Sequence, residues 1–196
     1  EMCIRDRYPV RFNNFCSDDD LNGPLFYMRV LQDFGTSNIS ERQMGHTLLN
    51  YVGERHGFFW WGGYGTSTEE TAYWNLLNGI EPPLSGSIEQ NGKITAEQIG
   101  GQIFSDCWGL LCPGDPARAA HFAKMMSSVS HDGNGIYGGQ FVAAAIASAF
   151  TSENVEQIIE SALSVIPADC EYALMVRDVV TQSKKTKVTS VKLSTL

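Results

Sequence analysis

Basic residues are scarce: 14 Lys and Arg stand against 22 Asp and Glu, a formal net charge of -8. A protein that grips a nucleic-acid backbone needs clustered Lys and Arg, so this composition argues against that class and against an anionic membrane surface as partner. No run of about 18 apolar residues occurs, which excludes a membrane-spanning helix, and the start lacks the apolar core of a secretory signal. A cytoplasmic location is the resulting expectation. The five cysteines, Cys3, Cys16, Cys107, Cys112 and Cys170, form no C-x-x-C pair and have no His at zinc-finger spacing, so they read as reduced thiols, mostly in the core. No period-2 run of β-branched residues and no internal repeat of constant period is present, and the fold expected is all-α.

What is present suits one soluble core: 196 residues, 43% hydrophobic and 18% charged. Residues 1–11, with Met2-Cys3-Ile4-Arg5-Asp6-Arg7, read as a non-native leader, 12–180 as the helical domain, and 181–196 as a polar, basic tail that suits a disordered end. Within the domain, Ser40 with Gln43 and Ser67 with Glu70 have capping-box spacing, and Asp115-Pro116 joins an N-cap to a proline in the first helical turn. Further helices are expected over 99–111, over 135–150, from a cap at Ser152 to about Ile166, and over 168–180. Residues 141–150 are apolar or small on every face, as in a central helix surrounded by others.

Three adjacent carboxylates, Asp18, Asp19 and Asp20, lie between an aromatic stretch (Phe12, Phe15) and a helix-like run over 25–34. Their repulsion leaves them either solvated or neutralised by a hard divalent cation, for which oxygen ligands are the natural partners. The run Ser130-His131-Asp132-Gly133-Asn134-Gly135-Ile136-Tyr137-Gly138-Gly139 leads into the central helix. Glycine at a helix start lets a ligand reach backbone N–H groups that suit a phosphate, although the same run serves equally as an ordinary turn. His131 with Asp132 reads either as a pair that orients or protonates a substrate group or as a structural histidine. In Gly100-Gly101-Gln102-Ile103-Phe104-Ser105-Asp106, helical glycine costs roughly 1 kcal/mol relative to alanine, so close packing or ligand approach is expected there. Asp106 sits among apolar residues and is either a site group or a helix-linking acceptor. The aromatic-glycine run over 58–66 could stack on a base or ribose, or anchor a loop.

The order of these motifs resembles the ADP-ribosylglycohydrolase family. It runs from the Asp-rich turn through Tyr64-Gly65-Thr66, Asn78-Gly79-Ile80-Glu81-Pro82-Pro83-Leu84-Ser85-Gly86-Ser87, Glu97-Gln98-Ile99-Gly100-Gly101-Gln102-Ile103 and Pro113-Gly114-Asp115-Pro116 to Ser130-His131-Asp132-Gly133. The resemblance implies an all-α orthogonal helical bundle that hydrolyses the N- or O-glycosidic bond of ADP-ribose or a related glycoside, with two Mg2+ ions, or Mn2+ in their place. It implies metal ligands at Asp18, Asp19 and Asp20, catalytic roles for Asp19, Asp20 and Asp106, and substrate contacts at Gly100, Gly101, Gln102, His131, Asp132, Gly133 and Tyr137. The partner implied is an ADP-ribosylated protein or a small ADP-ribose derivative. Leu21 stands where the family carries threonine. The glycine-rich segment expected before Phe12 and the later Asp-x-Asp segment have no match, so the bundle is expected to be incomplete and the 196 residues alone to be inactive. The alternative is a catalytically inactive helical domain that binds ADP-ribose or a protein partner.

Overall fold

The computed structural model describes residues 19–35, 39–54 and 59–185. The expected leader, Phe12, Phe15, Asp18, Cys3, Cys16 and residues 186–196 lie outside them. Among the described residues there are twelve α-helices and no strand. In chain order they are α1 (Asp19–Tyr27), α2 (Arg29–Phe34), α3 (Glu41–Tyr51), α4 (Thr68–Leu77), α5 (Ile88–Asn91), α6 (Lys93–Ala96), α7 (Gly100–Ile103), α8 (Asp106–Leu111), α9 (Pro116–Ser127), α10 (Asn134–Ala149), α11 (Val155–Leu163) and α12 (Glu171–Lys185).

Local chemistry sets several of the starts. Ser40 Oγ accepts from Gln43 N at 3.3 Å while Gln43 Oε1 accepts from Ser40 N at 2.9 Å, so the box before α3 is complete. Ser67 Oγ accepts from Glu70 N at 3.1 Å, but the Glu70 carboxylate turns away and takes Gly63 N at 2.7 Å. Asp115 Oδ1 caps α9 through Arg118 N, with Pro116 in the first turn. The start of α11 differs from expectation. Asn154 is its cap, accepting from both Glu156 N and Gln157 N, while Ser152 braces the approach through Asn154 N and Gln157 Oε1. Ser40→Ala is therefore expected to cost about 1 kcal/mol in urea unfolding, and Ser152→Ala no more than ~0.5 kcal/mol.

The segment expected as one helix over 99–111 divides into α7 and α8 at Phe104 and Ser105. The last helix extends five residues past 180, through Lys185, so the first part of the expected tail is helical; Lys184 and Lys185 oppose the negative end of its dipole. The one-turn helices α5 and α6 carry too little periodicity to be read from sequence.

Helix α10 is central, packed against α7, α8, α9, α11 and α12. Ala143, Ala144 and Ala147 have no exposed surface, and backbone contact is close because glycines line its neighbours. A Cβ at Gly101 would overlap Gly135 O, one at Gly139 would overlap Gly101 O, and one at Gly109 would lie 2.7 Å from Ala143 O. A second packing centre joins Phe26, Tyr27, Phe59 and Phe104 in ring contacts of 4.8 to 6.4 Å, and Trp108 stacks on Phe122 at 5.5 Å. Cys107 and Cys112 are buried and free, as expected of core thiols, and burial pushes the Cys107 thiol up to about 12.

Candidate active site

Within the acidic run, Asp19 and Asp20 do not precede a helix; they begin one. Asp19 and Asp20 occupy the first turn of α1, where the positive end of the helix dipole favours carboxylates. Pro24 inside α1 lacks the N–H that would bond the Asp20 carbonyl, and the helix ends at Tyr27. Gly23 rests on the Phe104 ring, where a Cβ would lie 2.7 Å from Cε1, and this contact docks α1 beside α7 and α8.

That docking opens a cleft of about 450 Å³ lined by Asp20, Leu21, Ile99, Gln102, Ile103, Asp106 and Val142. Three of the residues picked from sequence, Asp20, Gln102 and Asp106, meet there. Asp106 is exposed rather than buried, because it starts α8 at the rim. Its carboxyl is still held above the usual range, first by partial desolvation and then by the charge of Asp20. Gln102 is fixed by Tyr172, whose hydroxyl donates to Gln102 Oε1 at 2.9 Å, a bond that orients its amide N–H groups. Leu21 is largely exposed on the cleft wall.

Behind the cleft lies a buried polar group that sequence reading missed. Glu69 is buried, and a Cβ on Gly100 would lie 2.6 Å from its Oε1 and 2.9 Å from His131 Cε1. Burial raises the Glu69 carboxyl above its usual range, with Asp19 adding to the rise, although Ser67 Oγ donates to Oε2 at 3.2 Å. The only hint in the sequence was the first of the two glutamates after Ser67, and local spacing draws attention to Glu70 instead.

His131 is a holder of backbone rather than an exposed acid. Gly101 N donates to its Nε2 at 3.2 Å, so the ring proton sits on Nδ1 and is donated to Ser130 Oγ at 2.8 Å. Ser130 bonds in turn to Tyr27, whose phenol burial holds well above its usual range. Burial pushes His131 down to about 4 from 6.5. A group depressed in the fold contributes stability above its unfolded value that is lost as pH falls toward the folded one. Wild-type stability should therefore carry a component, lost between about pH 6.5 and 4 at no more than ~1.4 kcal/mol per pH unit, that is missing in His131→Gln. Urea unfolding at several pH values checks this.

The expected anion site at the start of α10 is filled from within. Glu97 Oε1 accepts from Asn134 N at 2.9 Å and from Asn134 Nδ2 at 3.0 Å. Asp132 accepts from Gly133 N at 2.7 Å and from Ile88 N at 3.0 Å, which engages both of its oxygens. Gly133, at φ 51°, abuts Glu97, and Tyr137 packs partly buried near Leu163 and Ile166. Asp132 and His131 line a different cavity, with Pro83, Leu84, Ser87, Glu89 and Ile136. The two glycine segments therefore open on separate spaces, and Gly100 and Gly101 are buried by helix packing. Among the described residues no three His, Cys, Asp or Glu side chains are grouped to hold a metal ion, and no helix is long and apolar enough to cross a membrane.

The family pattern of ADP-ribosylglycohydrolase matches residues 13–194. The match covers most of this helical chain, which therefore belongs to the ADP-ribosylglycohydrolase family, a family of glycoside-cleaving enzymes, and is a hydrolase in class. Neither a comparison with curated proteins nor one with solved structures gives a match.

Proposed function

We propose that the cleft between α1, α7 and α8 cleaves the glycosidic bond of an ADP-ribose derivative, either an ADP-ribosylated protein or a small conjugate, with divalent metal required. The observation that carries this reading is the meeting of Asp20, Asp106 and Gln102 in one cleft within a family of glycohydrolases. The donor chemistry fits a hard cation. Asp19 and Asp20 offer carboxylate oxygens from one helical turn, and the repulsion between Asp20 and Asp106 is of the kind a cation between them relieves. Asp19 and Asp20, with Asp18, would hold Mg2+, and the ion would supply polarisation of ribose oxygens and of water.

The chain's own groups divide the remaining work. Asp106, with its carboxyl raised, is suited to move a proton at the scissile bond. The Gln102 amide, braced by Tyr172, is suited to hold a ribose hydroxyl or phosphate oxygen. His131 orients the Gly101 backbone beneath Gln102 and touches no substrate in this arrangement. The test is release of ADP-ribose from an ADP-ribosylated peptide, with enzyme in excess over substrate, in Mg2+ and in EDTA. Release in Mg2+ that EDTA abolishes supports the reading, and equal release in both overturns it.

A further inference from the structure

A second cleft, also about 450 Å³, lies at the C-terminal end of α4 and is lined by Tyr64, Trp74, Asn75, Asn78 and Ile80. That volume is in the range of small-molecule sites. Both aromatic rings are held in place by their polar edges. The Tyr64 hydroxyl donates to Asn75 Oδ1 at 2.9 Å, and Trp74 Nε1 donates to Glu70 Oε1 at 3.4 Å. The ring faces are thus preset and need no ordering when a ligand arrives, which removes one cost of binding.

The polar inventory is lopsided. Asn75 Nδ2 donates to Ser85 O and to Asn91 Oδ1, both at 2.8 Å, and Asn78 Nδ2 donates to Trp74 O at 2.7 Å. Among the side-chain donors of the cleft only the second N–H of Asn78 Nδ2 is therefore left without an acceptor. The rest is accepting character: Asn78 Oδ1, the other lone pair of the Tyr64 oxygen, and the negative end of the α4 dipole. The buried Glu70 carboxylate lies behind the Trp74 edge, and the nearby basic groups Arg42 and His46 are paired with Glu81. An anion would find one amide N–H and no cationic side chain in the lining.

We infer that this cleft binds an organic cation, specifically a guanidinium group stacked on the Trp74 and Tyr64 rings with its N–H groups directed to Asn78 Oδ1. A planar guanidinium combines the two demands of the site, a flat face for the aromatic rings and several donors for acceptors that have no partner. The site is separate from the carboxylate cleft, shares no lining residue with it, and stands whether or not the hydrolytic reading holds.

The test compares L-argininamide with L-citrullinamide, whose urea has nearly the same shape without the charge, by NMR titration of the tryptophan indole signals. Argininamide should saturate with a dissociation constant on the order of 1 mM, and citrullinamide should bind at least about tenfold more weakly. Asn78→Lys places a cation at an exposed helix end that tolerates it and should weaken argininamide binding about tenfold or more while the melting temperature holds. Tyr64→Leu, at another exposed position, should weaken it as well. Equal binding of the two amides, no saturable binding, or full affinity in both variants would overturn the inference.

Discussion

Gly101→Ala is expected to destabilise the protein by about 3 kcal/mol or more, near the upper end of the range for overpacking. The added methyl would overlap Gly135 O, and a backbone carbonyl in the first turn of α10 cannot swing aside as a side chain can. The same seam is met from the other side by Gly139, whose Cβ would overlap Gly101 O and lie 2.7 Å from Ser127 Oγ. Relief would require α7 to separate from α10, breaking the Gly101 N to His131 Nε2 bond as it moved. Gly138→Ala is the matched control. The atoms nearest its methyl would all belong to the Gln102 side chain, with Cγ at 2.5 Å, so a cost of about 1 kcal/mol is expected from side-chain adjustment. Urea unfolding of both variants makes the comparison. Equal stability of Gly101→Ala and wild type would mean that α7 does not pack on α10 as described.

Asp20→Asn and Asp106→Asn should each lower Mg2+-dependent release of ADP-ribose about a hundredfold or more, on the scale of losing a metal ligand or a proton-transfer group. Their effects on stability should be small and opposite in origin to those of Gly101. Asp106 is exposed, and its carboxyl is raised, which makes it a destabilising charge at neutral pH. Removing that charge should leave the fold intact or slightly more stable, with any gain shrinking as pH falls through the raised folded value toward the usual carboxylate one, since a raised acid contributes stability at low pH that is lost as pH rises. A variant that loses activity while keeping its melting temperature separates chemistry from folding. Unchanged release in both variants would remove these carboxylates from the reaction.

The contrast between Gly101 and Asp106 also shows what could be read without coordinates. Starts set by neighbours in the chain were legible: the Ser40 box, the Ser67 cap and Asp115-Pro116 each involve contacts three residues apart. The central helix was legible because its alanines leave little else for residues 141–150 to do. Contacts set across the fold were not. The glycines at 100 and 101 were expected to admit close packing or a ligand, and only their neighbours in space, Glu69 and His131 at Gly100 and α10 at Gly101, decide for packing. The start of α10 has the composition of an anion site, yet its own Glu97, 37 residues away, fills it. Asp106 sits among apolar residues in the sequence, yet the break between α7 and α8 leaves it exposed at the cleft rim. Glu69 emerged only when Gly100 and His131 were placed against it.

The central claim, that Asp20, Gln102 and Asp106 form a metal-dependent ADP-ribose site, is tested most directly by calorimetric titration of ADP-ribose into the protein with Mg2+ and with EDTA, for wild type and Asp20→Asn. Binding that requires Mg2+ and weakens at least about tenfold in the variant is the predicted result. Binding of equal strength in EDTA, or undiminished in Asp20→Asn, would contradict it.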